Sequence, residues 1–185
     1  MKPLHLAVLL ALAPACSSTT AEPEPVAAVT EPAAAEALRF VAQAEWVEET
    51  PSSGMRAAQY RLPGAAGEAS LVVYHFGRGG GSLEANLERW AGQFEQTDGG
   101  DSVARMRRSE RRVGEYDVVV VDLAGTYVAE TSPGSGERVH EEDWRMLAAV
   151  IDTPAGPYYA KLVGPEATVS EHAERFDAFL AALES

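Results

Sequence analysis

Apolar and polar residues alternate over Arg56–Leu62 (RAAQYRL), putting Ala58, Tyr60 and Leu62 on one side, which predicts a half-buried strand. A Pro-Gly-Ala-Ala-Gly turn follows, and residues 69–76 (ASLVVYHF) are apolar on both sides, as in a central strand. The glycine run 77–81 breaks that strand, and Ser82 is placed to cap a helix. Leu83, Leu87, Trp90, Ala91 and Phe94 then recur at helical spacing as one apolar stripe. After a polar loop, 104–113 and 116–129 predict two strands about Gly114-Glu115, the second carrying the β-branched run Val118 to Val121. Residues 130–138 are a loop, and 144–151 with 157–163 predict a hairpin. Thr168-Val169-Ser170-Glu171 matches a capping box, and Val169, Ala173, Phe176, Leu180 and Leu183 mark a closing helix.

The element order is therefore ββαββββα, and its short links favour hairpins. The fold class expected is α+β: an antiparallel sheet of about six strands with one helix packed on each face, because strands apolar on both sides need cover on both.

The N-terminus has a different texture. Lys2 precedes a ten-residue apolar run, 4–13 (LHLAVLLALA), which has the length of a secretory core and falls well short of a spanning helix. Ala13-Pro14-Ala15-Cys16 follows, and Cys16 is the chain's one cysteine. Small residues before a cysteine at this place resemble a bacterial lipoprotein signal. The resemblance implies removal of residues 1–15 and lipidation of Cys16, with Ser17 after it implying an outer-membrane destination facing the periplasm. An ordinary signal peptide cut after Ala15 fits the same residues. Residues 16–44 are rich in Ala, Pro and Glu and are expected to be a disordered tether, with a short helix over 36–44 and a single domain over 45–185.

The formal net charge is −13, which excludes a general nucleic-acid binder, and the lone cysteine excludes a disulfide framework. The strand order, with the segment 164–169 (GPEATV) opening the last helix, looks like the PsbP-like α/β/α sandwich. The segments 55–60 (MRAAQY), 86–90 (NLERW) and 163–169 (VGPEATV) resemble a group of uncharacterised lipoproteins of high-GC bacteria. That family brings no site residues to carry over. The PsbP-like resemblance implies a binding or assembly role.

Candidate chemistry is sparse. Arg78, Gly79, Gly80, Gly81 and Ser82, between a strand and a helix start, can hold an anion on backbone N–H groups, although they read first as a plain turn with a Ser cap. His140-Glu141-Glu142-Asp143 gathers metal-binding types, but consecutive residues on a strand cannot all face one ion. His75 sits near the end of an apolar strand and reads first as packing, and His172 lies on the last helix. Ser135, in Gly134-Ser135-Gly136, lacks the strand–turn–helix setting of a nucleophile. Arg105, Arg107, Arg108, Arg111 and Arg112 form the one basic cluster, with pairing to the chain's own acids expected. Trp46, Trp90, Trp144, Tyr158 and Tyr159 can line a cleft or fill a core.

The function expected is that of a membrane-anchored envelope lipoprotein, held through the lipid on Cys16, whose domain binds or assembles without catalysis. No catalytic residue, metal or cofactor is assigned. The partner is an unidentified protein or small molecule, and nucleic acid is excluded. The alternative is an envelope hydrolase or metal-dependent enzyme built on His75 or His140.

Overall fold

The computed structural model describes residues 37–131 and 134–183. Eight strands among them form one antiparallel sheet: β1 (Val47–Glu48), β2 (Arg56–Leu62), β3 (Ala69–His75), β4 (Phe94–Glu95), β5 (Arg107–Val113), β6 (Tyr116–Tyr127), β7 (Glu141–Ile151) and β8 (Tyr158–Pro165). Their order is β1-β2-β3-β8-β7-β6, and β4 and β5 both pair with β6. Four α-helices accompany them: α1 (Leu83–Ala91), α2 (Ser102–Arg105), α3 (Glu166–Glu171) and α4 (Ala173–Ala181). The class is α+β, as the periodicity predicts.

Alternation along the strands divides the interior into two clusters. Leu147, Ala149 and Ile151 of β7 belong to the first, with Tyr60, Leu71, Ala160 and Leu162 from neighbouring strands and Phe176, Phe179 and Leu180 from α4. Met146, Ala148 and Val150 belong to the second, with Val121, Leu123 and Tyr159, and Leu87, Trp90 and Ala91 from α1. The helix stripes read from sequence thus supply residues to different clusters.

Several elements differ from the expected ones. The sheet has eight strands rather than about six, because β1 and β4 are two residues long and carry no alternation to read. Phe94 is not the end of the α1 stripe. The helix stops at Ala91 with Gly92 as its C-cap, and Phe94 opens β4 opposite Tyr127. Residues 104–113 are not one strand, since the Asp101 carboxylate caps α2 by accepting from Val103 N at 2.9 Å. Arg105 therefore ends a helical turn, and β5 starts at Arg107.

The closing helix is two helices meeting at His172, and the capping box does not form. Pro165 is the N-cap of α3, so Thr168 lies inside that helix and its hydroxyl donates to Gly67 O at 2.8 Å.

The expected boundary at 45 is also corrected. Leu38 is buried in the first cluster. The Phe40 ring lies 5.5 Å from Tyr158 and 5.6 Å from Phe179, and its carbonyl accepts from the Tyr60 hydroxyl at 3.2 Å. Two apolar residues spaced by two drop onto the same aromatic surface, so this part of the presumed tether belongs to the domain. No helix forms over 37–44.

The turn between β7 and β8 is fixed by a backbone contact. Gly156 has φ +111°, and a Cβ there would stand 2.2 Å from Gly77 O. Only glycine allows the hairpin tip to lie against the start of the 77–81 loop.

Candidate functional site

Two charged residues stand among apolar neighbours in the middle of long strands. Asp122 is flanked by Val121 and Leu123 on β6, and Arg145 by Trp144 and Met146 on β7. The β6–β7 register places Asp122 opposite Leu147 and Ala124 opposite Arg145, one alternation apart on the same face. Arg145 reaches back to form a fork: Nε donates to Asp122 Oδ1 at 2.9 Å and Nη2 to Oδ2 at 2.8 Å. Its remaining Nη1 donates to Ser170 Oγ of α3 at 2.8 Å. Arg107, directly across from Asp122 on β5, donates to the same Oδ2. Burial opposes ionisation of Asp122, but the hydrogen bonds and charge of Arg145, then of Arg107, outweigh it and hold the carboxyl below its ordinary range.

This pair borders a cleft of about 350 Å³ between β5, β6, β7 and α4. Val120, Leu147, Ala173 and Phe176 form its apolar wall. Of the lining arginines, Arg108 is bound to Glu84 and Glu110, while Arg107, Arg111 and Arg145 face Asp122 and Asp177. Arg111 donates from Nη2 to Asp177 Oδ1 at 3.0 Å, yet its buried Nε has no hydrogen-bond partner. Three guanidiniums over two carboxylates, with one buried donor unused, suit an anionic group attached to an apolar body. Arg107, Asp122 and Arg145 also line a second hollow of about 290 Å³ with Gln96, Arg105 and Glu166.

All five arginines of the basic cluster have acidic partners. Arg105 pairs with Asp98, Arg107 with Asp122, Arg108 with Glu84 and Glu110, Arg111 with Asp177, and Arg112 with Asp117. Intramolecular pairing is thus what the structure has. Arg107 and Arg111, two alternations apart on β5, do share the cleft side.

The glycine loop is occupied with its own closure. Gly77–Gly79 form one 3₁₀ turn, and Ser82 caps α1 by accepting from Ala85 N at 3.3 Å. The Gly80 carbonyl accepts from Asn86 Nδ2 at 2.8 Å and from the Tyr159 hydroxyl at 3.1 Å. Arg78 donates from Nη2 to the Pro154 carbonyl at 3.4 Å, in the β7–β8 turn.

His75 stacks on Tyr158 at 4.0 Å, with its Nε2 buried and unpartnered. His140 is exposed, and among the described residues no three His, Cys, Asp or Glu side chains converge as a metal set would. His172 is buried, accepting from Trp46 Nε1 at Nδ1 (3.1 Å) and so donating from Nε2 to Pro63 O (2.9 Å). Trp90, Tyr158 and Tyr159 are core, and Trp144 stacks on Tyr127 at 5.2 Å. Cys16, with the cleavage and lipidation expected there, lies outside the described residues. Among those described, no helix is long and apolar enough to cross a membrane.

Sequence reasoning passed over Asp122, Arg145 and Lys161. Each is a charge inside a strand apolar on both sides, and that mismatch was the available signal. Lys161, on β8 opposite Val72 and Ala148, is half-buried and meets Gln93 and Tyr127 rather than an acid.

No protein-family model and no curated protein matches the chain. Among solved structures, it is similar to a Pseudomonas aeruginosa protein of unknown function, with 15% identity over 80% of this chain and 96% of that one. The TM-score between the two is 0.48.

Proposed function

We propose that this chain is a lipid-anchored envelope protein whose domain is a non-catalytic binding module, and that the cleft between β5–β7 and α4 receives the anionic end of an amphipathic ligand. The observation that carries the binding site is the excess of guanidinium over carboxylate around an apolar wall in a chain of net charge −13, with Arg111 Nε left unused. A local positive field on an acidic surface selects anions and repels little that it needs to admit. The anchor rests on the apolar run before Cys16 and on the resemblance to envelope lipoproteins. The partition of α1 and α4 between the two clusters supports the layered reading, one helix on each face as in the PsbP-like sandwich.

Native mass spectrometry of the protein purified from its own envelope tests the cleft. The expected result is a reproducible extra mass that disappears on reversing Arg111 to Glu, with the thermal midpoint little changed. A bare protein, or a ligand retained in Arg111→Glu, overturns the cleft assignment. The anchor is tested separately, since Cys16→Ala should abolish fatty-acid labelling and release the protein from membranes. Unchanged labelling would remove it.

A further inference from the structure

Arg145 and Arg111 offer the same two donors to carboxylates, and only one of them has both taken. On Arg145, Nε and Nη2 each meet an oxygen of Asp122, at 2.9 and 2.8 Å. On Arg111, Nη2 meets Asp177 Oδ1 at 3.0 Å, and the buried Nε has no hydrogen-bond partner among the described residues. That donor has given up water and received nothing for it. The two carboxylates also differ in how firmly they are held. Asp122 sits inside β6 with its side chain 17% exposed, bonded to two arginines. Asp177, on α4, has its side chain 59% exposed, and its one ion pair among the described residues is with Arg111. An exposed pair with a single contact is weak, so Asp177 can leave for water at little cost.

Arg111 and Asp177 both line the cleft and join β5 to α4 across it. Val120, Leu147, Ala173 and Phe176 supply its apolar wall. At roughly 30 Å³ for each water-sized atom, 350 Å³ holds about ten to twelve non-hydrogen atoms. Arg107 and Arg111, which both line it, stand about 13 Å apart along an extended strand. A space that long and that small in volume is narrow, which suits one extended chain better than a bulky body. An incoming carboxylate exchanges with Asp177 one charge for one, and it takes both Arg111 donors where Asp177 takes one. A phosphate dianion instead brings a second negative charge toward Asp122 and the displaced Asp177.

We propose, building on the reading of this cleft as an anion site, that its ligand is a straight-chain monocarboxylate of medium length. Its head displaces Asp177 and forks onto Arg111 Nε and Nη2, while its chain lies on Val120, Leu147 and Phe176. Asp177 is thus the site's built-in competitor, and it sets the concentration at which the ligand enters.

Octanoate, whose size falls in that range, is titrated calorimetrically at pH 7 into the full 185-residue chain produced without export, so that no acyl group of the protein's own competes. Wild type should bind octanoate saturably and should not bind octanol. Asp177→Ala should bind octanoate on the order of fivefold tighter, because the competitor is gone. Arg111→Lys keeps the charge and loses the fork, and should bind on the order of tenfold more weakly. Thermal midpoints measured beside the titrations keep a folding defect from passing as lost affinity. In nitrogen-15 NMR the Arg111 Nε–H signal, identified by its absence from Arg111→Lys, should shift with octanoate and stay in place with octanol. No saturable binding of octanoate, no gain in Asp177→Ala, or an unmoved Nε–H signal overturns the proposal. Octyl phosphate bound as tightly as octanoate also overturns it, while leaving the anion site standing. That site is decided separately, by whether the envelope ligand is lost in Arg111→Glu, so the two assignments can fail apart.

Discussion

Asp122 and Lys161 are both charges set into apolar strands, and the protein answers them in opposite ways. Asp122 receives the fork of Arg145 and a further bond from Arg107, so its charge is compensated on the spot. Lys161 receives an amide oxygen, a phenol and the face of a ring, all neutral. The first arrangement fixes charge, because arginine does not titrate and the carboxylate is held ionised. The second leaves charge free to come and go. A buried charge with a partner is a matter of structure, and one without a partner is a candidate for chemistry.

The comparison can be broken most forcefully at the support of the fixed side. Phe179 is buried among Phe40, Trp46, Tyr60 and Phe176, so Phe179→Ala should cost about 3–5 kcal/mol in denaturant unfolding. The arginine cleft should loosen with it, since α4 carries Asp177 and Phe176.

Asp122→Asn comes next, at about 3 kcal/mol near neutral pH, because it strands two guanidiniums over a neutral amide. The folded carboxyl titrates below its unfolded value. Its contribution is therefore full above the ordinary carboxylate range and is lost as pH falls through the lower folded value. The difference between wild type and Asp122→Asn should shrink toward strong acid. A constant difference down to acid unfolding would mean that the ion pair is not its source.

Lys161→Met should have a smaller effect, of the same sign in its slope with pH but in the alkaline range rather than the acid one. Between about 8 and the ordinary lysine value the unfolded chain binds the proton and the folded one does not, so wild-type stability should rise with pH there. The rise is on the order of 1 kcal/mol once partial exposure is discounted. The methionine variant should lack it when thermal midpoints are compared from pH 7 to 10. Arg112→Ala, breaking an exposed pair with Asp117, should change stability by no more than about 0.5 kcal/mol.

Periodicity was enough to read β2, β3, β6 to β8 and the α1 stripe, because each buries a regular pattern long enough to repeat. It failed where a single contact decides the outcome. Asp101 capping Val103 turned the start of an expected strand into α2, and with Pro165 as N-cap the last helical segment starts ahead of the Thr168 that looked like its cap. The packing of Leu38 and Phe40 was illegible because the surface that receives them comes from β2, β8 and α4, far along the chain. For the same reason the arginine cluster showed its charge in sequence but not its partners. Asp122 and Asp177 reach it from different elements. The isolated lysine in β8 was visible as a mismatch, but its neutral setting depends on Gln93 and Tyr127, and no local pattern joins them.

Gly156 against Gly77 ties two distant stretches of chain into one hereditary unit. With the hairpin tip touching backbone rather than side chain, no compensating side-chain change can absorb a Cβ at 156. Variation among descendants of this sequence should therefore spare the length of the β7–β8 turn and the glycine at its tip together. Insertions should gather instead around 130–138, where the glycines have nothing within reach of an added Cβ.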